Sequence, residues 1–294
     1  MTFEIKSRIA TFGGELLKLS HASSTTKTPM AVSIYLPPAS KTTRVPVLLY
    51  LSGLTCTPDN CAEKGFLHAA ASKHGIAVVY PDTSPRGAGV AGEDDAYDFG
   101  SGAGFYIDAA QEPWSTNYAM ETYIVSELLT ILFESSSSPP EIDIAERLDR
   151  SRVSITGHSM GGHGALTLYL KNPGWFRSVS AFAPISNPSR CPWGEKAFGG
   201  YLGSDKREWE KHDATELVKG EAWKGKDLKA LIDVGTGDNF YKQGQLLPEN
   251  FEAAAKEAGV SGVTVRYQEN YDHSYYFIST FAQDHVDHAA KYLF

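Results

Sequence analysis

Hydrophobic and polar positions change their spacing as the chain proceeds. Residues 3–36 carry short runs of β type, Phe3–Thr11, Glu15–His21 and Met30–Leu36, separated by Gly13-Gly14 and the polar stretch Ser23–Thr28. Met30, Val32, Ile34 and Leu36 alternate with smaller or more polar neighbours. That period of two predicts half-buried strands, paired antiparallel at one edge of a sheet. From Val45 onward the apolar residues come in blocks. Val45–Leu51 is continuously apolar, as a central strand covered on both faces should be. Ile76–Tyr80, Val153–Thr156, Val179–Ala183, Leu231–Val234 and Val263–Tyr267 read as further strands.

Helical spacing predicts helices over Ala62–Lys73, Tyr118–Phe133, Ala165–Leu170, Glu249–Ala258 and Tyr275–Tyr292, the last interrupted near Asp284. Strand and helix alternate from residue 45 to the end. The expected fold class is therefore α/β, a mostly parallel central sheet with antiparallel N-terminal strands and helices on both faces, in one domain spanning 1–294. Two stretches have no period: Thr83–Pro113, rich in Gly and Asp, and the Pro/Trp/Gly-rich insertion Asn187–Trp209. The first is long enough to be expected as a wall or lid of a site. Ser135–Pro140 reads as a surface linker without a change of composition around it.

Composition narrows the function. With 42% hydrophobic and 21% charged residues the chain can bury a full core. A net charge of −8 argues against nucleic acid or an anionic membrane as partner. Three cysteines, Cys56, Cys61 and Cys191, are too few for a disulfide framework and fit a reducing compartment. The first residues lack a signal-peptide core, and no apolar run reaches the roughly 18 residues of a membrane span. A cytoplasmic protein is the expectation.

The chemistry centres on Gly157-His-Ser-Met-Gly161, a G-x-S-x-G pentapeptide between the strand ending at Thr156 and a helix. A serine held at such a turn is exposed at the carboxyl end of its strand, above a helix N-terminus. It becomes a nucleophile only when a base takes its proton and a carboxylate orients that base. In hydrolases of this type the partners follow in the order acid, then histidine, on loops after later strands. Asp238, past Leu231–Val234, and His273, past Val263–Tyr267, occupy such places, giving a candidate triad Ser159, Asp238 and His273. The oxyanion donors expected are the main-chain N–H of Met160 and of Leu54, the latter presented by Gly53.

Other titratable residues fit less well. Asp233 lies inside its strand and is expected to face a helix or the core, while Asp272 adjoins His273 and suits a turn cap. His158 and His163 flank the serine too closely to be its base. Asp284, His285 and His288 are expected on a solvated helix face. The i, i+3 pair of histidines lacks an evident third metal ligand, so no metal site is assigned.

Leu51-Ser-Gly-Leu-Thr-Cys56, Pro81-Asp-Thr-Ser-Pro-Arg-Gly87, Gly104-Phe-Tyr106, Gly157–Gly162, Pro192-Trp-Gly-Glu-Lys-Ala-Phe198 and Asp272-His-Ser-Tyr-Tyr-Phe277 together resemble the S-formylglutathione hydrolase (esterase D) family of the α/β-hydrolase fold. The likeness runs from about residue 30 to the end. It implies a cytosolic, cofactor-free homodimer that releases formate and glutathione in formaldehyde detoxification, and it maps the family's triad and oxyanion donors onto the five residues above. Cys61 and the Ser/Pro linker are not family features. Lys64, Arg86 and Lys196 are candidate partners for the substrate's carboxylates, each equally readable as a solvated side chain. Trp193 and Trp114 are candidate pocket walls. Cys56, two residues past Leu54, is a candidate thiol whose oxidation or alkylation would block substrate. A general short-chain carboxylesterase or an acyltransferase is the alternative, and a scaffold without turnover a third reading.

Overall fold

The computed structural model describes residues 2–134 and 143–294, so the linker expected at Ser135–Pro140 lies outside the described residues. Nine strands form one sheet: β1 (Glu4–Thr11), β2 (Gly14–Ala22), β3 (Pro29–Leu36), β4 (Val45–Leu51), β5 (Ala77–Pro81), β6 (Leu148–His158), β7 (Val179–Phe182), β8 (Asp227–Gly235) and β9 (Ser261–Gln268). Their order is β1-β2-β3-β5-β4-β6-β7-β8-β9. β1, β2, β3 and β5 pair antiparallel, whereas β5 through β9 are joined by parallel pairs. The switch follows from connection length: a turn at Phe12-Gly13 suffices for a hairpin, but parallel neighbours need helical crossovers. All seven residues of β4 are buried, as its unbroken apolar run predicts.

Helices differ from expectation in several places, three of them for a plain local reason. The helix expected over Ala62–Lys73 is two, Pro58–Lys64 and His68–His74. Phe66 between them takes φ +56°, and a Cβ at Gly65 would sit 2.4 Å from Cys61 Sγ, so the chain must turn there. The insertion Asn187–Trp209 is largely helical, with Pro192–Leu202 starting on a proline at N1 behind the Cys191 cap. The terminal helix Tyr275–Leu293 is continuous, because Asp284 stays on its surface and pairs with Arg266 of β9 at 2.8 Å. By contrast Thr83–Pro113 has no strand or helix of its own and only isolated bridges.

His285 also departs from the solvated face expected for it. It is fully buried, stacked 3.5 Å above the Phe182 ring, and its Nε2 is 2.9 Å from Asp233. Asp233 further accepts from Arg266 and Gln268. Asp233 thus faces helix and core as expected, and it ties the last helix to β8 and β9.

Candidate active site

The turn after β6 has the backbone its glycines predict. Ser159 takes φ 58°, ψ −119°, and helix Met160–Lys171 begins at once. A Cβ on Gly157 would lie 2.1 Å from Gly161 O, and one on Gly161 would lie 2.0 Å from Leu51 O. Only hydrogen fits at either position, because helix and strand pass within contact distance. The Ser159 N–H donates to Phe182 O at 2.9 Å, which locks the turn to β7.

Asp238 follows β8 and caps the short helix Asn239–Lys242, its Oδ1 accepting from Phe240 N–H at 2.7 Å. The cap holds the carboxylate still and leaves Oδ2 free for His273 Nδ1, 2.5 Å away. Asp238 is fully buried, and the His273 side chain is 16% exposed, so the pair is dry on one side and open on the other. Phe240 meets the imidazole edge-on at 4.9 Å. Asp272 accepts from the Ser274 N–H and hydroxyl, the turn cap expected of it. Ser159 and His273 line one cleft of about 190 Å³ together with Leu54, Trp193, Tyr97 and Phe240. Among the described residues, the Ser159 hydroxyl makes no hydrogen bond to His273 of ordinary geometry. Catalytic contacts of this kind are often long until substrate binds.

The loop after β4 lies against the serine. A Cβ on Gly53 would be 3.1 Å from Ser159 Cβ and 3.1 Å from His158 O. The glycine is there for close approach. The left-handed residue is Thr55, φ 67°, whose N–H donates to Gly102 O at 2.9 Å and so fastens this loop to the long irregular segment. Among the described residues, neither the Leu54 nor the Met160 N–H meets a backbone or side-chain acceptor. Two unspent donors flank the serine, one of them at a helix N-terminus.

The remaining candidates divide. Trp193 is in the cleft wall, its Nε1–H donating to Tyr97 Oη at 3.3 Å and its ring 4.6 Å from Phe240. Trp114 is not: it packs on Phe99, Tyr118 and Tyr201 in the core. Arg86 is committed to Asp82 and the Cys56 carbonyl, and Lys196 pairs with Asp98. Lys64 is exposed at the end of its helix, and its charge reaches Cys56. Cys56 itself is buried, its Sγ 3.7 Å from Tyr275 Oη. Burial pushes its thiol up, partly offset by that tyrosine, which disfavours the reactive thiolate.

Tyr97, Phe240 and His158 also line the cleft, and sequence reasoning did not select them as part of the site. Tyr97 lies in a segment without period, and Phe240 is one aromatic among many. His158 adjoins the nucleophile, too close along the chain to be its base.

Comparison with known proteins gives the family of the chain. The Esterase family model ("Putative esterase") matches residues 23–288. The S-formylglutathione hydrolase of Rattus norvegicus is 52% identical over 282 residues, 96% of this chain and 95% of its own. That of Arabidopsis thaliana is 50% identical with the same coverage. The structure of an S-formylglutathione hydrolase from Agrobacterium tumefaciens superposes with a TM-score of 0.90 at 45% identity, covering 99% of each chain. A ferulic acid esterase at 18% identity and TM-score 0.68 shares the fold.

Proposed function

The chain belongs to the esterase family, grouping within it with the S-formylglutathione hydrolases, and on that premise we propose that it hydrolyses S-formylglutathione to formate and glutathione through Ser159, His273 and Asp238. The observation that carries the mechanism is the buried Asp238–His273 pair opening onto the cleft that holds Ser159. His273 Nε2 takes the hydroxyl proton as Ser159 Oγ attacks the thioester carbonyl carbon, and Asp238 stabilises the imidazolium. The Leu54 and Met160 N–H groups hold the oxyanion. The C–S bond then breaks, leaving a formyl ester on Ser159. A thiol of pKa about 8.5 departs with little need of protonation, so the demand falls on attack and on the oxyanion. The departed thiolate takes the proton from His273, which becomes a neutral base again. It then deprotonates a water that attacks the ester carbonyl, and the proton passes to Ser159 Oγ as the C–O bond breaks and formate leaves.

The substrate carries carboxylates although the protein is net negative. Screening over about 8 Å leaves the choice to local cations. Lys64 suits that role better than Arg86 or Lys196, whose charges are already paired. Trp193 walls the cleft, and oxidation or alkylation of Cys56, two residues past Leu54, would block substrate. The same reading takes the protein to be a homodimer needing no cofactor, and cytosolic, a compartment that three free cysteines fit. No helix among the described residues is long and apolar enough to cross a membrane.

Ser159→Ala and His273→Ala should each lose on the order of 10³-fold in kcat while still binding substrate. Near-wild-type turnover in either would refute the assignment. Side activity on small-acyl carboxylesters is expected from the same machinery. A kcat/KM for acetyl esters above that for S-formylglutathione would favour the general carboxylesterase.

A further inference from the structure

His158 ends β6 beside the nucleophile and is 6% exposed. Among the described residues neither buried ring nitrogen makes a hydrogen bond of ordinary geometry, and the ring's polar neighbour is the His273 backbone. A buried polar group in that position lowers stability, and an apolar ring of similar size would fill the space without the cost. Its surroundings explain what an imidazole does there. On one side its ring lies 4.8 Å from the His273 ring at a tilt of 45°. On the other its Nδ1 is 3.2 Å from where a Cβ on Gly53 would stand. Tyr275 is the third neighbour, ring centroids 6.0 Å apart. One side chain therefore touches both the residue read as the base and the loop read as the source of the Leu54 donor.

We propose that His158 is a positioning residue, whose polar ring sets the tilt of His273 against the Gly53–Leu54 loop and stabilises the imidazolium that His273 becomes during attack. Burial, and next the charge of His273, hold the His158 imidazole well below the ordinary histidine range. It stays neutral and offers a dipole rather than a competing charge. Positive charge appears on His273 only as the serine proton arrives, so the benefit falls on the transition state and not on substrate binding. The inference rests on the reading of Ser159 as nucleophile and His273 as base.

The test compares His158→Phe, which keeps a ring and removes the dipole and both nitrogens, with His158→Gln, which restores a donor and an acceptor. His158→Phe is expected to lose about 10-fold in kcat at unchanged KM, with Tm equal to or above wild type, and His158→Gln to recover part of the kcat. A folded His158→Phe with wild-type kcat overturns the proposal, as does a kcat loss that comes with raised KM and lowered Tm. Should His158→Phe not fold, imidazole ¹⁵N shifts of the wild-type protein decide. Phosphonylating Ser159 should move the His158 signals with those of His273, and unmoved signals overturn the proposal. Ser159→Ala in the same assay separates the two layers. Its retention of activity would defeat the parent mechanism, whereas a dead Ser159→Ala beside a fully active His158→Phe defeats this inference alone.

Discussion

Asp233 and His285 form a second carboxylate–imidazole pair, 2.9 Å apart and wholly buried, on the strand that leads to Asp238. It has the composition of the proposed catalytic pair and none of its access. Asp238–His273 opens onto the cleft, whereas Asp233–His285 is closed by Phe182 and by Arg266, which fills the other carboxylate oxygen. Burial pushes the Asp233 carboxyl up, but His285 and Arg266 outweigh it and hold it at about 2.

Breaking that pair should therefore cost stability and spare chemistry. Asp233→Asn or His285→Ala is expected to lower unfolding free energy by about 3 kcal/mol, since an uncompensated buried partner remains. Urea denaturation measures this, and the folded fraction should keep a kcat near wild type. A variant of full stability with lost turnover would move Asp233 into the catalytic machinery.

Stability should fall steeply in mild acid. Burial is the main cause holding His68 and His288 at about 4 and His163 at about 3, all below the usual 6.5. The unfolded chain binds those protons from about pH 6.5 downward while the folded chain refuses them. The stabilisation is thus complete above 6.5 and is lost as pH falls toward the folded values, at about 1.4 kcal/mol per pH unit per histidine. Denaturation midpoints at pH 8, 6.5 and 5.5 should drop only across the lower interval. A flat profile would contradict the burial of these rings.

Gly53→Ala should injure catalysis more than folding. The new methyl would stand 3.1 Å from Ser159 Cβ, so loop or serine must shift by a few tenths of an ångström. Displacing one oxyanion donor is expected to lower kcat by about 10²-fold. Gly161→Ala, whose methyl would meet Leu51 O at 2.0 Å, should instead fail to fold or lose several kcal/mol, about the range of severe overpacking. Comparable kcat for Gly53→Ala and wild type would remove this loop from the oxyanion site.

Trp193→Ala should widen acyl selectivity. Trp193 and Phe240 form an aromatic wall of the cleft that holds the serine, with Tyr97 bonded to Trp193. One methylene in an apolar pocket is worth about 1–3 kcal/mol of discrimination. The butyryl-to-acetyl ratio of kcat/KM should rise by about 10-fold or more. An unchanged ratio would place the acyl group elsewhere.

The sheet, its antiparallel edge, the covered β4 and the strained turn at Ser159 could all be read from the chain, because each is encoded within a short window. Period two, an unbroken apolar run and G-x-S-x-G are local statements about which backbone is permitted. The places of Asp238 and His273 could be named for a related reason, since parallel strands deliver their following loops to one edge. Packing decided the rest. Arg86 and Lys196 were equal to Lys64 as candidates until Asp82 and Asp98 occupied their charges, and His285 turned inward because Asp233 awaited it across the sheet. The two aspartates of β8 and its following loop are both buried, but one is sealed by a guanidinium and the other backs a histidine that lines the cleft. A side chain's solvation and partners come from residues far away along the chain, and no window contains them.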